Sequence, residues 1–108
     1  MIFRRLSKLF QSNVVNQIKD DFEPSEQVCK HVFFSGIVQN VGFRFEVYRQ
    51  AQVLGIVGWV RNLEDGRVEA RLQGERLRVE ALINHLYTIK RFQIDDLQME
   101  DCRYDLKL

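Results

Sequence analysis

The sequence contains few of the residues that mark specialised protein classes. Its 108 residues include one proline and two cysteines, and the formal net charge is +1. Two cysteines are too few for a disulfide-rich secreted scaffold, so we expect Cys29 and Cys102 to be reduced thiols in a cytoplasmic protein. A near-neutral charge excludes a broad basic field for nucleic-acid binding, and any anion must therefore be bound locally. No apolar run is long enough to cross a membrane.

The N-terminal residues differ in pattern from the rest of the chain. Their apolar residues recur at helical spacing among basic ones, which predicts an amphipathic helix: Ile2, Phe3, Leu6, Leu9, Phe10, Val14 and Ile18. Charges interrupt the apolar core that a secretory signal needs. An acidic segment with a proline follows, so we assign 1–27 as an extension and linker before a domain at 28–108. We favour a helix that folds onto its own domain or frays, over contact of residues 2–19 with a membrane surface or partner.

From Val28 onward the apolar pattern predicts alternating strands and helices. The elements are a strand at 28–36, a helix with Phe43, Val47, Ala51 and Leu54 on one face, strands at 56–62 and 67–73, a helix with Val79, Leu82, Ile83 and Leu86, and strand-like sequence at 94–108. Gly55 is expected to cap the first helix, and Asp65-Gly66 predicts a hairpin turn. This order predicts an α+β fold, a ferredoxin-like split β-α-β sandwich with an antiparallel sheet and two helices on one face. Proteins of many functions share that fold, so it identifies none.

The segment between the first strand and the first helix has features of an anion site. It reads GIVQNVGFR, residues 36–44. Such a loop presents unpaired backbone N–H groups and the positive end of a helix dipole. Asn40 and Gly42 tolerate the left-handed conformation that a tight loop needs, and Arg44 would add a permanent positive charge. From these residues alone, an ordinary tight turn followed by a surface arginine explains the pattern equally well.

Two motifs in this order resemble those of the acylphosphatase family. Residues 36–44 are similar to the family signature of glycine, any residue, valine, glutamine, glycine, valine, any residue, phenylalanine and arginine. A second block resembles the family at LG (54–55), GWVRN (58–62) and DGRVE (65–69). The resemblance extends more loosely over 28–108. It implies a hydrolase that cleaves the carboxyl–phosphate bond of a small acyl phosphate, releasing a carboxylate and inorganic phosphate.

The resemblance also implies roles for particular residues. The backbone amides that would hold the phosphate are those of Gln39, Asn40, Val41, Gly42 and Phe43. Arg44 would hold the same group, and Asn62 would position the attacking water. A mixed anhydride already has a good leaving group, so positioning and charge stabilisation suffice. We infer that a phosphate oxygen of the substrate, or a relaying water, takes the proton. The absence of Cys, Ser and His from the loop argues against a covalent phospho-enzyme.

Other residues that could carry chemistry are assigned structural roles. His31 and His85 are expected to be structural or solvated, and Trp59 and Phe43 to be core aromatics. The carboxylates and histidines lack metal-ligand spacing, so we expect neither a metal nor another cofactor.

The sequence departs from the family pattern in three places. Asn40 stands where the family has glycine, and we expect it to preserve the loop at some cost in binding. The second helix runs into 88–92 without the glycine–proline break common in the family. The connection before 104–108 is short, so 94–108 is predicted as one bent strand or two short ones.

Two alternatives to a monomeric enzyme stay open at this stage. One is a non-catalytic module of the same fold that binds phosphate, another anion or a protein partner. The other is a ferredoxin-like RNA binder, which ranks last because it needs exposed aromatics and a basic sheet face. We therefore expect no nucleic-acid partner.

Overall fold

The computed structural model describes residues 1–4 and 22–108, which form an antiparallel sheet and two helices. The elements are β1 (Ile2–Phe3), β2 (Gln27–Ile37), α1 (Phe43–Leu54), β3 (Val57–Asn62), β4 (Val68–Glu75), α2 (Arg76–Tyr87) and β5 (Gln93–Asp101). The strand order is β1-β3-β4-β2-β5, with every neighbouring pair antiparallel. The ferredoxin-like prediction is confirmed. Neither of these helices is long and apolar enough to cross a membrane.

The core lies between the two helices and one face of the sheet. The apolar residues predicted for the helix faces and for alternate positions of β4 are all buried in it: Phe43, Val47, Ala51, Leu54, Val68, Ala70, Leu72, Val79, Leu82, Ile83 and Leu86. Each of these side chains other than the two alanines contributes about 1.5–3 kcal/mol when it is fully buried. A one-residue slip of β4 would turn its apolar set toward solvent, so this burial also fixes the register of the sheet.

The N-terminus begins with a strand rather than with a helix. Ile2 pairs with Trp59, and Phe3 is 1% exposed in the core. The helix prediction is therefore wrong at these two residues, because the edge of β3 offers unpaired backbone groups and Gly58 leaves room for the Phe3 ring. The remainder of that prediction, over 5–21, lies outside the described residues.

The two cysteines are joined, contrary to the expectation of reduced thiols. Pairing of β2 with β5 brings Cys29 and Cys102 to a Cα–Cα distance of 5.1 Å, and a disulfide links them. The final residues do not extend the sheet, so 94–108 forms one strand that ends at Asp101. The backbone N–H and C=O of Asp105 bond instead to the side-chain amide of Gln73.

Helix α1 buries a carboxylate beside the four apolar residues that were predicted for its inner face. Glu46 is 4% exposed because its carboxylate lies 2.6 Å from both Arg49 Nη2 and His85 Nε2. The hydrogen bond from Arg49 lowers the pKa of Glu46 to about 2, against the effect of burial, and His85 adds to the lowering. This cluster joins α1 to α2, and it gives His85 the structural role that was expected.

Candidate active site

The ends of two strands bring the candidate residues to one edge of the sheet. Strands β2 and β3 run in the same direction because each pairs antiparallel with β4, which lies between them. The register aligns Phe34, Val68 and Asn62 in one row. With about 4.8 Å between neighbouring strands, Asn62 lies about 10 Å from Phe34 across the sheet. Alternation from buried Val60 turns Asn62 toward the face that the helices cover.

The loop from 38 to 42 joins β2 to α1 at this edge. Asn40 has φ 62° and Gly42 has φ 81°, so left-handed residues flank Val41, and the prediction for both positions is confirmed. Backbone of this kind gathers N–H groups into a concavity that binds anions. Gly42 is the N-cap residue of α1 and supplies no side-chain cap. The first N–H groups of the helix are therefore free of a cap at the position where its dipole favours an anion.

The side chain of Gln39 ties the loop to the hairpin that follows Asn62. Its Nε2 donates to the carbonyl oxygen of Leu63 at 2.8 Å and to that of Arg67 at 2.9 Å. Leu63 N also donates to Arg67 O across the same turn. The sequence indicated only the backbone amide of Gln39, and this structural use of its side chain was missed. The tether fixes the loop against the residue next to Asn62.

Arg44 is the second residue of α1, and its side chain is exposed. Among the described residues, its guanidinium has no carboxylate within ion-pair distance, whereas Arg49 on the same helix binds Glu46. A positive charge at a helix N-terminus opposes the dipole and is unfavourable by itself. An anion between the guanidinium and the helix amides would remove that conflict.

The Asn62 side chain has a buried oxygen that lacks a partner. Within the described part of the chain, Oδ1 of this half-buried residue accepts no hydrogen bond. An unsatisfied buried acceptor costs about 1–3 kcal/mol. Groups of this kind are rare in folded proteins, and each calls for an explanation such as a bound water or ligand. Asn62 therefore offers an acceptor on the same edge as the loop and Arg44.

Two charged side chains of the neighbouring turn, Asp65 and Arg67, pair with each other. Arg67 donates to Asp65 from its backbone N–H at 3.1 Å and from Nε at 2.8 Å. These two hydrogen bonds lower the pKa of Asp65. The guanidinium of Arg67 also lies over the Phe33 ring, 4.8 Å from its centroid. The guanidinium of Arg67 therefore already has partners, the Asp65 carboxylate and the Phe33 ring.

A second polar cluster lies on the face of the sheet that the helices do not cover. Its centre is Glu69, which lies 2.6 Å from His31 Nε2 and accepts from Arg61 Nε at 2.5 Å. Burial opposes ionisation, but these two hydrogen bonds bring the pKa of Glu69 below its usual value. Trp59 is half-buried here beneath Arg61, so the expectation of a core position was right for Phe43 and wrong for Trp59. His31 has the structural role that was predicted.

The comparisons with known proteins agree with this fold. A family model described as acylphosphatase matches residues 30–107. An acylphosphatase of Acaryochloris marina is 55% identical over 56 residues, which are 52% of this chain and 60% of that protein. The chain therefore spans about three-fifths of the length of the curated relatives it matches.

Solved structures give the same result. The structure of an acylphosphatase from Coxiella burnetii superposes with a TM-score of 0.68 at 34% identity, covering 73% of this chain and 84% of the other. That of acylphosphatase from Bacillus subtilis has a TM-score of 0.67 at 28% identity, covering 73% and 89%. Fold and loop together define a ferredoxin-like domain whose strand-to-helix junction has left-handed residues and an uncapped helix N-terminus. The match to the family model shows that the chain belongs to the acylphosphatase family.

Proposed function

We propose that this protein hydrolyses the carboxyl–phosphate anhydride of small acyl phosphates by direct attack of water. The observation that carries the proposal is the Oδ1 of Asn62, which accepts no hydrogen bond within the described residues. It shares a sheet edge with an uncapped helix N-terminus and with Arg44, which has no ion-pair partner in the same part of the chain. An acyl phosphate would supply the anion, and its attacking water would supply the missing hydrogen bond. The reaction proposed is that of the family to which the chain belongs.

The phosphoryl group would bind in the loop. The backbone amides proposed as donors are those of Gln39, Asn40, Val41, Gly42 and Phe43. Arg44 would bind the same oxygens through its fork of N–H donors. Donors that are fixed before substrate arrives stabilise charge on the equatorial oxygens without reorganising in the transition state.

Asn62 would position the nucleophile. A water that donates a hydrogen bond to Oδ1 is held with a lone pair free to attack phosphorus. The new oxygen–phosphorus bond forms while the bond to the carboxyl oxygen breaks, and the electron pair leaves with the carboxylate. The proton of the water passes to a phosphate oxygen directly or through a second water, so the protein supplies no general base. The products are a carboxylate and inorganic phosphate.

We also propose a monomer that acts in the cytoplasm, with the activity carried by 28–108 and with 1–27 as an extension that contributes β1. The disulfide between Cys29 and Cys102 is evidence against a cytoplasmic location, because such bonds persist mainly in oxidising surroundings. Counting free thiols in protein isolated under alkylating conditions tests the location, and sedimentation tests the oligomeric state.

A non-catalytic anion-binding module is the competing function, suggested by Asn40 at a glycine position of the family motif. The left-handed φ of 62° at Asn40 weakens that suggestion, since asparagine adopts this conformation more readily than other side chains do. The RNA-binding alternative is weakened as well. On the open sheet face Arg61 pairs with Glu69, and Arg67 with Asp65, so these two cations beside the aromatic rings are not free to bind a nucleic acid.

Hydrolysis of acetyl phosphate in buffer containing a chelator tests the proposal. We expect turnover that inorganic phosphate inhibits competitively, because substrate and product would share the loop. Thermal protection by phosphate without any turnover would contradict the enzymatic proposal and favour the binding module.

A further inference from the structure

A second arginine contacts the loop from outside the family motifs. Arg91 lies between α2 and β5, in the segment where the sequence departs from the family pattern. Its Nε donates to the backbone carbonyl of Val41 at 2.8 Å. A Cβ placed on Gly42 would lie 3.5 Å from Arg91 Nη2, so the guanidinium also packs against the N-cap residue of α1.

The orientation of the Val41 carbonyl matters to an anion site. A loop that points its N–H groups inward must point its carbonyl oxygens outward, because an inward carbonyl would repel the phosphate. The left-handed residues on either side of Val41 allow this arrangement. The hydrogen bond from Arg91 gives the Val41 oxygen a charged donor, which is about twice as strong a partner as a neutral one and would hold that oxygen outward.

Arg91 is itself held in place by the core. Its guanidinium lies 4.8 Å from the centroid of the Phe92 ring. Phe92 packs against Phe43 at a centroid distance of 4.9 Å, and Phe43 packs against Phe34 at the same distance. The arginine therefore packs on the first of three rings that contact one another in sequence, Phe92, Phe43 and Phe34. Within the described residues it has no carboxylate in ion-pair distance, so its charge adds to the positive potential at the loop.

We propose that Arg91 is a positioning residue, which holds the Val41 carbonyl outward so that the loop amides face the bound phosphoryl group. This inference rests on the proposed function of the loop. Arg91 acts through the loop and has no contact with the reacting atoms. The loop holds the phosphoryl group in the substrate, the transition state and the product, so the loss of Arg91 should weaken binding of all three by a similar factor. KM and the Kd of phosphate should then rise, while kcat stays nearly unchanged.

The test compares Arg91→Ala and Arg91→Lys with Lys90→Ala, a matched control that removes a neighbouring exposed cation without touching the loop. Kinetics on acetyl phosphate give kcat and KM, calorimetry gives the Kd of inorganic phosphate, and thermal unfolding reports stability. We expect Arg91→Ala to raise KM and Kd by about tenfold, with kcat changed by less than about threefold. Arg91→Lys keeps the charge and should recover part of the loss. Lys90→Ala should match the wild type.

Several outcomes would overturn the inference. One is an Arg91→Ala variant whose KM and Kd equal those of the wild type. Another is an equal loss in Arg91→Ala and Lys90→Ala, which would reduce the effect to general charge. If either of these results is obtained while the wild type hydrolyses acetyl phosphate, the inference about Arg91 is wrong and the proposed function stands. If the wild type binds phosphate but does not hydrolyse acetyl phosphate, the enzymatic proposal is wrong. The Kd values of inorganic phosphate then still test the role of Arg91. A wild type that does neither overturns both.

Discussion

Both helices have an arginine in the first turn, but the arginine and the first N–H groups have different partners in the two helices. Helix α2 begins with Arg76, whose guanidinium binds Glu26 at 2.6 Å and Glu80 at 3.1 Å. Its first N–H groups are also satisfied, since Leu77 N donates to Ser25 Oγ and Arg76 N to the carbonyl of Glu26. Helix α1 has an arginine in its first turn as well, but it has neither the cap nor, among described residues, the carboxylate. An arginine at the start of a helix therefore does not define an anion site by itself. Such a site also requires that the guanidinium and the first helix N–H groups lack partners within the protein.

The same contrast holds for the two ends of the sheet. We call the edge with 38–44 and Asn62 the loop end, and the opposite edge, where β2 begins and β4 and β5 end, the anchored end. The anchored end carries the Cys29–Cys102 disulfide and the two hydrogen bonds between Gln73 and Asp105. A groove of about 410 Å³ lies there, but its charged residues, Glu75 and Arg78, pair with each other. Substitutions at the loop end should therefore change activity, and those at the anchored end should change stability.

The largest expected effect is the loss of activity in Arg44→Ala. Removing a charged donor that acts on the phosphoryl group should lower kcat/KM by about a thousandfold or more, with the unfolding temperature unchanged. Arg76→Ala is the matched control in the first turn of α2. It should leave kcat/KM within about twofold and cost at most about 1 kcal/mol of stability. Steady-state kinetics decide, and an Arg44→Ala variant within tenfold of the wild type would remove the contrast between the helices.

The disulfide should give the next largest effect, on stability alone. It closes a segment with a sequence separation of 73. Losing it in the Cys29→Ser/Cys102→Ser variant should lower the free energy of unfolding by about 3 kcal/mol, because the unfolded chain gains conformational freedom. Urea unfolding with and without reductant measures this change. The KM for acetyl phosphate should stay the same, and a large rise in KM would mean that the two ends are coupled.

Asn62→Ala should lower kcat by about a hundredfold, since the attacking water loses its positioning acceptor. Phosphate affinity should change by less than about threefold, because the loop and Arg44 stay in place. Asn84→Ala, on the exposed side of α2, is the matched amide control and should be silent. If Asn62→Ala weakened phosphate binding as strongly as it slowed turnover, Asn62 would be a phosphate ligand instead of a water ligand.

Acid should destabilise the packing of the two helices on each other. This contact is part of neither the loop end nor the anchored end of the sheet. The pKa of Glu46 is about 2, below its ordinary value of 4.5, so the folded state binds fewer protons than the unfolded state between these pH values. The stabilisation is complete above pH 4.5 and is lost as pH falls toward 2, on the order of 2 kcal/mol. Glu46→Gln should flatten this part of the pH profile of unfolding, whereas Glu80→Gln should not. A profile identical in all three proteins would show that Glu46 does not carry the acid sensitivity.

Local patterns in the sequence predicted most of the fold. The periodicity of apolar residues gave both helix faces and the alternation of β4, and Gly55 caps α1 with φ 71°, as expected. Asn40 and Gly42 could be predicted as left-handed because few residue types tolerate that conformation. The candidate site residues came from the motif, and their roles in catalysis stay a prediction.

Features that depend on distant contacts could not be predicted. Pairing of Ile2 and Phe3 with β3 overrides their helical spacing, and the burial of Glu46 depends on His85 from the other helix. The loop contact of Arg91 spans 50 residues of sequence, so neither spacing nor charge pattern indicates it. Each of these arises once the sheet and the helices have brought remote segments together, and nothing local in the chain encodes them.

The most direct test of the account is a titration with inorganic phosphate followed by two-dimensional amide NMR. If the loop end is the anion site, the backbone N–H signals of 39–44 and the side-chain amide of Asn62 should shift together along one saturable curve. The N–H signals at the start of α2 should stay unmoved. Shifts concentrated at the anchored end, or no saturable shift at the loop, would contradict the account.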